Sequence, residues 1–364
     1  MSINRVYHTC LQQLRQLHPN ERITRLRSFA TLMSGIFEAK SVQLPKIANE
    51  IPAPAKERSI TRRLERVLDN RALCVRELYR PFAQAWLLSQ ARSTGQIRLI
   101  LDTTKVSFSH QLLMVGLAFG RRAIPIAWTW LRCAKGHSSA KLQLAPLSYI
   151  RGLAPQGVPV LLVGDTEFEA AELQEQLEGW GWFYVLRQKP NNQVKQSEQH
   201  DWQAFGSLVS AVGQRVGLPQ VLLTREHSRA VNLLALWEVS EEQPWLLATN
   251  LPNAAAALRA YRRRMWIEEL FGDLKGHGFD LESSHLGQFA RLSRLTLAVV
   301  VVYDWLVSTG KRVIKAGERS QVDRNDRRDL SVFQIGLRFI RRCLKNERPF
   351  TMHFVPIGVK LSGS

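Results

Sequence analysis

Two apolar runs that each end on an aspartate constrain the fold of this chain more than any other feature. Ile97 to Leu101 leads into Asp102, and Val158 to Val163 passes through Gly164 into Asp165. Short apolar runs closed by turn residues read as buried strands. Gln111 to Phe119 and Ile124 to Leu131 are two more such runs, with turn residues between them. Beyond Asp165, Glu167 to Leu177 reads as a helix and Phe183 to Arg187 as a strand. Three strands followed by strand, helix and strand predict a mixed α/β sheet.

The 364 residues leave room for roughly two to three domains at about 100–200 residues each. No internal repeat or low-complexity tract is present. Residues 1–95 read as helical, 96–187 as the first part of the sheet core, and 188–253 as an inserted, mostly β segment opened by the polar loop KPNNQVKQSEQHD. Residues 254–310 hold a long helix from Ala254 to about Lys275 and a very apolar helix over Leu292 to Val307. Residues 311–364 form a basic C-terminal region, helical over 311–348.

Charge narrows the partners. Lys plus Arg number 50 against 31 Asp plus Glu, a net +19. Residues 1–95 carry +9 (16 against 7) and residues 311–348 carry +7 (12 against 5), so basic ends flank a nearly balanced middle. Such surfaces suit a phosphate backbone, although solvated basic helices on an ordinary enzyme give the same count. In SITRRLERVLDN, Ser59 is placed to cap a helix. Ile60, Leu64, Val67 and Leu68 form one apolar stripe, with Arg62 and Arg66 opposite and Arg63 at its flank. After the short helix around Leu44 to Ala48 and the break IPAPAKER, this predicts a helix-turn-helix-like DNA-binding unit; the alternative is an amphipathic helix with a solvated basic face.

The third element is AYRRRMWIEELFGDLKGHG. On a regular helix of ~100° per residue, Tyr261, Arg264, Glu268 and Lys275 fall within about 60° of one another. Ile267, Leu270, Phe271 and Leu274 cover the adjacent apolar face, and Glu269 and Asp273 point away. The wheel therefore selects Glu268 over Glu269 as the carboxylate beside the sheet. Asp102 and Asp165 are read either as turn or cap residues or as rigid carboxylates at strand ends. With Glu268 they suit hard divalent cations, and two such ions ~3.5–4 Å apart clamp an in-line phosphoryl displacement.

Tyr261-x2-Arg264-x3-Glu268-x6-Lys275, with Trp266-Ile267-Glu268, resembles the Y-R-E-K signature of bacterial insertion-sequence DDE transposases. LILDTTKV and LLVGDTEFE resemble the two aspartate blocks of that group, in the same order, and SITRRLERVLDN resembles its N-terminal DNA-binding segment. The resemblance spans about residues 25–310. It implies an RNase H-like mixed-sheet core interrupted by a β-rich insertion, with an α-helical N-terminal DNA-binding domain and a basic helical C-terminus. It implies that Asp102, Asp165 and Glu268 bind two Mg²⁺ ions, with Mn²⁺ as a substitute. Water and then a 3′-hydroxyl would attack phosphodiesters at the inverted-repeat ends, without a covalent protein–DNA intermediate. Tyr261, Arg264 and Lys275 would contact phosphates near the cleaved end.

PWLLATNLP resembles the segment that places a base-stacking Trp in relatives that cut through a hairpin, and offers Trp245; a core Trp is the other reading. The implied partners are double-stranded DNA with terminal inverted repeats, target DNA and a second copy in a homodimeric synapse. Where the group often has Asp-Arg, this chain has Asp165-Thr166, and its C-terminal region is short for a dimerisation domain.

A nuclease that cuts without strand transfer and an inactive DNA-binding protein are the alternative readings. Nothing else competes. Cys10, Cys74, Cys133 and Cys343 lie far apart without a CxxC, against a disulfide framework or cysteine zinc site. His277 and His285 lack zinc spacing. Gly276-His277-Gly278 and Gly116-x3-Gly120 form no phosphate loop, and Tyr303 sits in the apolar helix, a core position. The N-terminal MSINRVYHTC has no apolar signal region, and Leu295 to Tyr303 is shorter than the ~20 residues of a membrane span. The expected setting is the bacterial cytoplasm, on the nucleoid.

Overall fold

The computed structural model describes residues 2–107, 109–133, 136, 138–226 and 228–354. Residues 355–364 of the expected C-terminal region lie outside them. In chain order come α1 (Ser2–Leu17), α2 (Ile23–Ala39), α3 (Leu44–Glu50), α4 (Glu57–Asp69) and α5 (Val75–Thr94). Next are β1 (Ile97–Lys105), β2 (Gln111–Phe119), β3 (Arg122–Leu131), α6 (Ala140–Arg151), β4 (Val160–Gly164), α7 (Ala171–Gly179) and β5 (Phe183–Arg187). Then follow β6 (Gln193–Lys195), β7 (Gln203–Ala204), β8 (Arg215–Leu223), β9 (Arg229–Leu236) and β10 (Trp245–Thr249). Last are α8 (Ala254–Tyr261), α9 (Trp266–Leu274), α10 (Phe289–Lys315) and α11 (Val332–Lys345).

The chain divides into two compact units. One holds residues 90–269, the other the residues up to Ser89 and from Leu270 onward. The first is built on one mixed sheet of ten strands, ordered β3-β2-β1-β4-β5-β10-β9-β8-β6-β7. β1, β4 and β5 run parallel at its centre, where a strand must be apolar on both faces. That is why these runs lack a polar alternation. Gly164 ends β4 where a Cβ would stand 3.0–3.1 Å from Phe168 and Leu186. Gly116 sits beside a register shift in β2, where a Cβ would meet that of Ala123 at 2.8 Å. A side chain at either place would push the strand from its neighbours.

Residues 188–253 were expected as a separate β-rich insertion. They are β-rich, but their strands continue the same sheet through the antiparallel pair β5–β10. Thr249 Oγ1 donates to the Tyr184 carbonyl at 2.6 Å, and the Asn250 side chain bonds the Tyr184 N–H and the Trp182 carbonyl, each at 2.9 Å. Val194, Phe205, Val221, Val231, Leu233 and Leu246 form this segment's own core. Backbone pairing at the seam thus joins what apolar composition alone reads as a second body.

The other unit is helical. The expected N-terminal domain 1–95 and the C-terminal region are not separate bodies here, because α10 packs against α2, α4 and α11. α10 has 27 residues and is apolar enough over 18 of them to cross a membrane, longer than the run Leu295 to Tyr303 suggested. Of that window 89% is buried inside the protein, as in the core helix of a globular unit. Asp304 is fully buried on it and accepts from the Tyr79 hydroxyl at 2.7 Å; burial pushes its carboxyl well above the usual carboxylate range. α11 crosses α10 at two glycines. A Cβ on Gly336 would stand 1.9 Å from the Leu306 carbonyl oxygen, and one on Gly310 would stand 2.0 Å from that of Val332.

Candidate active site

Register places the two aspartates. In the parallel pair β1–β4, Leu101 lies opposite Gly164. The next residue on each path is Asp102 and Asp165. β1 does not end at Asp102, as the apolar run predicts, because pairing with β2 carries it on to Lys105, with Asp102 opposite Met114; Asp165 directly follows β4. The two aspartates thus lie side by side at the carboxyl end of the parallel β1–β4 pairing. Strand ends of this kind are where open α/β sheets place ligands. Asp102 is 6% exposed, and its Oδ1 accepts from the Thr103 N–H at 2.7 Å. Asp165 caps the 3₁₀ turn Thr166–Phe168, its Oδ1 accepting from the Glu167 N–H at 3.0 Å.

The third carboxylate arrives differently from expectation. One helix from Ala254 to Lys275 was expected; α8 ends at Tyr261, and Arg262–Met265 form turns before α9. The Arg264 N–H bonds the Tyr261 carbonyl and the Ile267 N–H bonds that of Arg264, three residues back instead of four. This tighter winding invalidates a wheel drawn at a constant ~100° from Tyr261 to Lys275. Locally the spacing survives. Arg264 Nη2 donates to Glu268 Oε1 at 2.8 Å and its Nη1 to Asp102 Oδ2 at 3.1 Å. Glu269 instead pairs with the buried Arg122 at 3.2 Å.

One guanidinium therefore bridges an aspartate of β1 and a glutamate of α9. Burial raises the Asp102 carboxyl to about 7, with Asp165 and Glu268 adding repulsion and Arg264 and the Thr103 N–H opposing it. Burial acts to lower the Arg264 pKa, but Asp102, Glu268 and their neighbours outweigh it and hold it above its ordinary value. Among the described residues no three His, Cys, Asp or Glu side chains stand together closely enough to hold an ion.

The other expected residues fall in several places. Tyr261 is 3% exposed, and burial raises its hydroxyl. Its ring meets that of Trp245 edge-on, 5.1 Å between centroids. Trp245 is itself buried in β10, with Nε1 donating to Glu241 at 3.1 Å, so in this conformation its faces are packed against protein. Lys275 follows α9 in the helical unit and pairs with Glu282 at 2.9 Å. Arg62, Arg63 and Arg66 are exposed on α4, whose buried stripe is Ile60, Leu64 and Leu68. That helix begins at Glu57, so Ser59 lies inside it and is not its cap.

Sequence reasoning passed over Glu167. Its carboxylate accepts from Thr103 Oγ1 at 2.6 Å and from Ser138 Oγ at 2.5 Å, tying the residue after Asp102 to the turn that Asp165 caps. The available signal was the Asp-x-Glu spacing in LLVGDTEFE.

Residues 129–305 match the family model of the transposase DDE domain, so a domain of that kind is present in the chain. The matched span contains Asp165 and Glu268 and begins after Asp102. One solved structure similar to this chain is a cryo-EM structure of a piggyBac transposase synaptic complex with hairpin DNA. It is 10% identical with a TM-score of 0.40, over 96% of this chain and 83% of that one. No curated protein matches the chain.

Proposed function

We propose that this chain is a DDE transposase with an RNase H-like core that cleaves the inverted-repeat ends of a bacterial insertion sequence and joins them to target DNA. The observation that carries this reading is the gathering of Asp102 and Glu268 on one guanidinium, beside Asp165 on the neighbouring strand. The three groups are all carboxylates, the donor type a hard divalent cation takes, but with Arg264 between Asp102 and Glu268 they do not stand close enough together here to hold one. The electrostatics support a cation there: burial above all, with Asp165 and Glu268 adding to it, raises the Asp102 carboxyl, and Arg264 is the cation that now offsets the two like charges. Asp102, Asp165 and Glu268 would hold Mg²⁺ or Mn²⁺, which supplies Lewis-acid stabilisation of the attacking and leaving oxygens.

The chain's own groups do the rest. β1 carries Asp102 and β4 leads into Asp165, and Glu167 ties Thr103 of β1 to the turn that Asp165 caps. Arg264 is positioned to neutralise a scissile phosphate once it leaves Glu268. α3 and α4 would seat on the end DNA through Arg62, Arg63 and Arg66, with phosphate contacts supplying most of the affinity. Two copies would pair the two ends in a synapse on the nucleoid.

The test is Mg²⁺-dependent cleavage of a plasmid carrying this gene with its native flanking DNA. Cuts at defined flank positions that vanish in Glu268→Ala and persist in Glu269→Ala support the reading. DNA binding without cleavage by any variant, in Mg²⁺ or Mn²⁺, overturns it. Cuts without joined products leave a nuclease.

A further inference from the structure

The helical unit carries a cleft that the catalytic reading leaves unused. It lies between the segment Ser320–Leu330 and the solvent face of α11, with a volume of about 660 Å³. Arg324 and Arg327 line it from the loop, and Arg338 and Arg342 from the helix. Arg338 and Arg342 are four residues apart, so they project side by side, ~5–6 Å between Cβ atoms. Two aspartates also line the cleft, and each is already engaged: Asp323 by Arg319 at 2.5 Å and Asp329 by Arg327 at 2.7 Å. Among the described residues, the side chains of Arg324, Arg338 and Arg342 have no ion-pair or hydrogen-bond partner.

We infer that this cleft is a second binding site for the phosphate backbone of duplex DNA, separate from α4. Three guanidinium groups without an ion-pair or hydrogen-bond partner line one open groove. Each presents a planar fork that matches the two free oxygens of a phosphodiester. Nothing cationic in the cleft is consumed by the local carboxylates except Arg327. A run of phosphates at regular spacing satisfies a helix pair and a loop arginine together, which a single small anion does not. The chain's net +19 gives such an encounter long-range attraction. The site contacts backbone and not base edges, so it adds affinity and length of footprint without sequence preference.

This goes beyond the transposase reading, and its test involves no cleavage. Full-length protein is titrated onto a fluorescent duplex of about 30 bp and arbitrary sequence, by anisotropy, over roughly 50–300 mM NaCl. The variant Arg324→Gln/Arg338→Gln/Arg342→Gln is compared with Arg27→Gln/Lys141→Gln/Arg215→Gln, which removes equal charge from exposed positions elsewhere. Each phosphate contact contributes about 0.9 to the slope of log K against log salt, so the cleft variant should lose about two to three units. The charge-matched variant should lose less than one. Arg338→Gln alone should lose about one, and it keeps the test open if the triple variant fails to fold. Equal behaviour of the two triple variants, or an unchanged slope in the cleft variants, overturns the inference. So does loss of polyglutamate or anionic-vesicle binding in the cleft variants with duplex binding intact.

Discussion

Arg264 and Asp102, 162 residues apart in sequence, meet at 3.1 Å, and the same guanidinium reaches Glu268 at 2.8 Å. A cation built into the chain therefore occupies the space between two of the three carboxylates. Its side chain is only 14% exposed, so solvent screens it weakly. Ions drawn to Asp102 and Glu268 compete with it for the same oxygens.

That competition is measurable. Arg264→Ala should bind Mg²⁺ more tightly than wild type by roughly tenfold, the equivalent of ~1.4 kcal/mol. Arg264→Lys keeps the charge but loses the fork, so it can satisfy one carboxylate and not both. Its Mg²⁺ affinity should fall between the two. Isothermal titration reads both variants directly. Equal or weaker binding in Arg264→Ala would show that the arginine is not competing for the site.

The raised Asp102 carboxyl predicts a pH effect on stability in metal-free buffer. In the folded protein burial holds this carboxyl up at about 7, against an ordinary value of 3.8. Between those values the folded protein holds more protons than the unfolded chain. Stability from this group is therefore largest below about pH 4, falls as pH rises towards 7, and stays low above it. Asp102→Asn removes the charge, so its melting temperature relative to wild type should rise between pH 4.5 and pH 8, reflecting a stability difference on the order of a few kcal/mol at most. A difference in melting temperature that does not change with pH counts against it.

Gly336 lies where α11 touches α10. A methyl group there would need the 1.9 Å now separating its Cβ position from the Leu306 carbonyl oxygen, and backbone cannot swing aside as a side chain does. Gly336→Ala should destabilise the helical unit by about 3 kcal/mol or more, the upper range for overpacking. Gly276→Ala is the control, since nothing lies within 4 Å of its Cβ position. Chemical denaturation of both variants decides it, and equal midpoints would refute the close crossing.

Much of the sheet was legible because its central strands are apolar on both faces. Gln111–Phe119 and Phe183–Arg187 were read with the bounds the structure has. The wheel chooses Glu268 over Glu269, and the structure gives the two different partners, Arg264 and Arg122, but the single helix on which that wheel is drawn is broken at Arg262–Met265. Other features lay beyond local pattern. The turn Arg262–Met265 replaces bonds to the fourth residue back with bonds to the third, and no period in AYRRRMWIEELF announces that. The role of Glu167 depends on Thr103 and Ser138, both distant in sequence. The arginine cleft depends on a loop folding back beside α11.

By itself the sequence determined the classes of most elements, the charge at both ends and which apolar runs form the central strands. Those follow from side-chain period, burial and composition, which act over a few residues. Only tertiary structure decided that 188–253 extends the first sheet, that the N-terminal and C-terminal helices share one core, and that one arginine joins Asp102 to Glu268. Those are long-range pairings. Each is settled by which backbone groups and charges find partners once the chain is folded, and a local pattern holds no record of that choice.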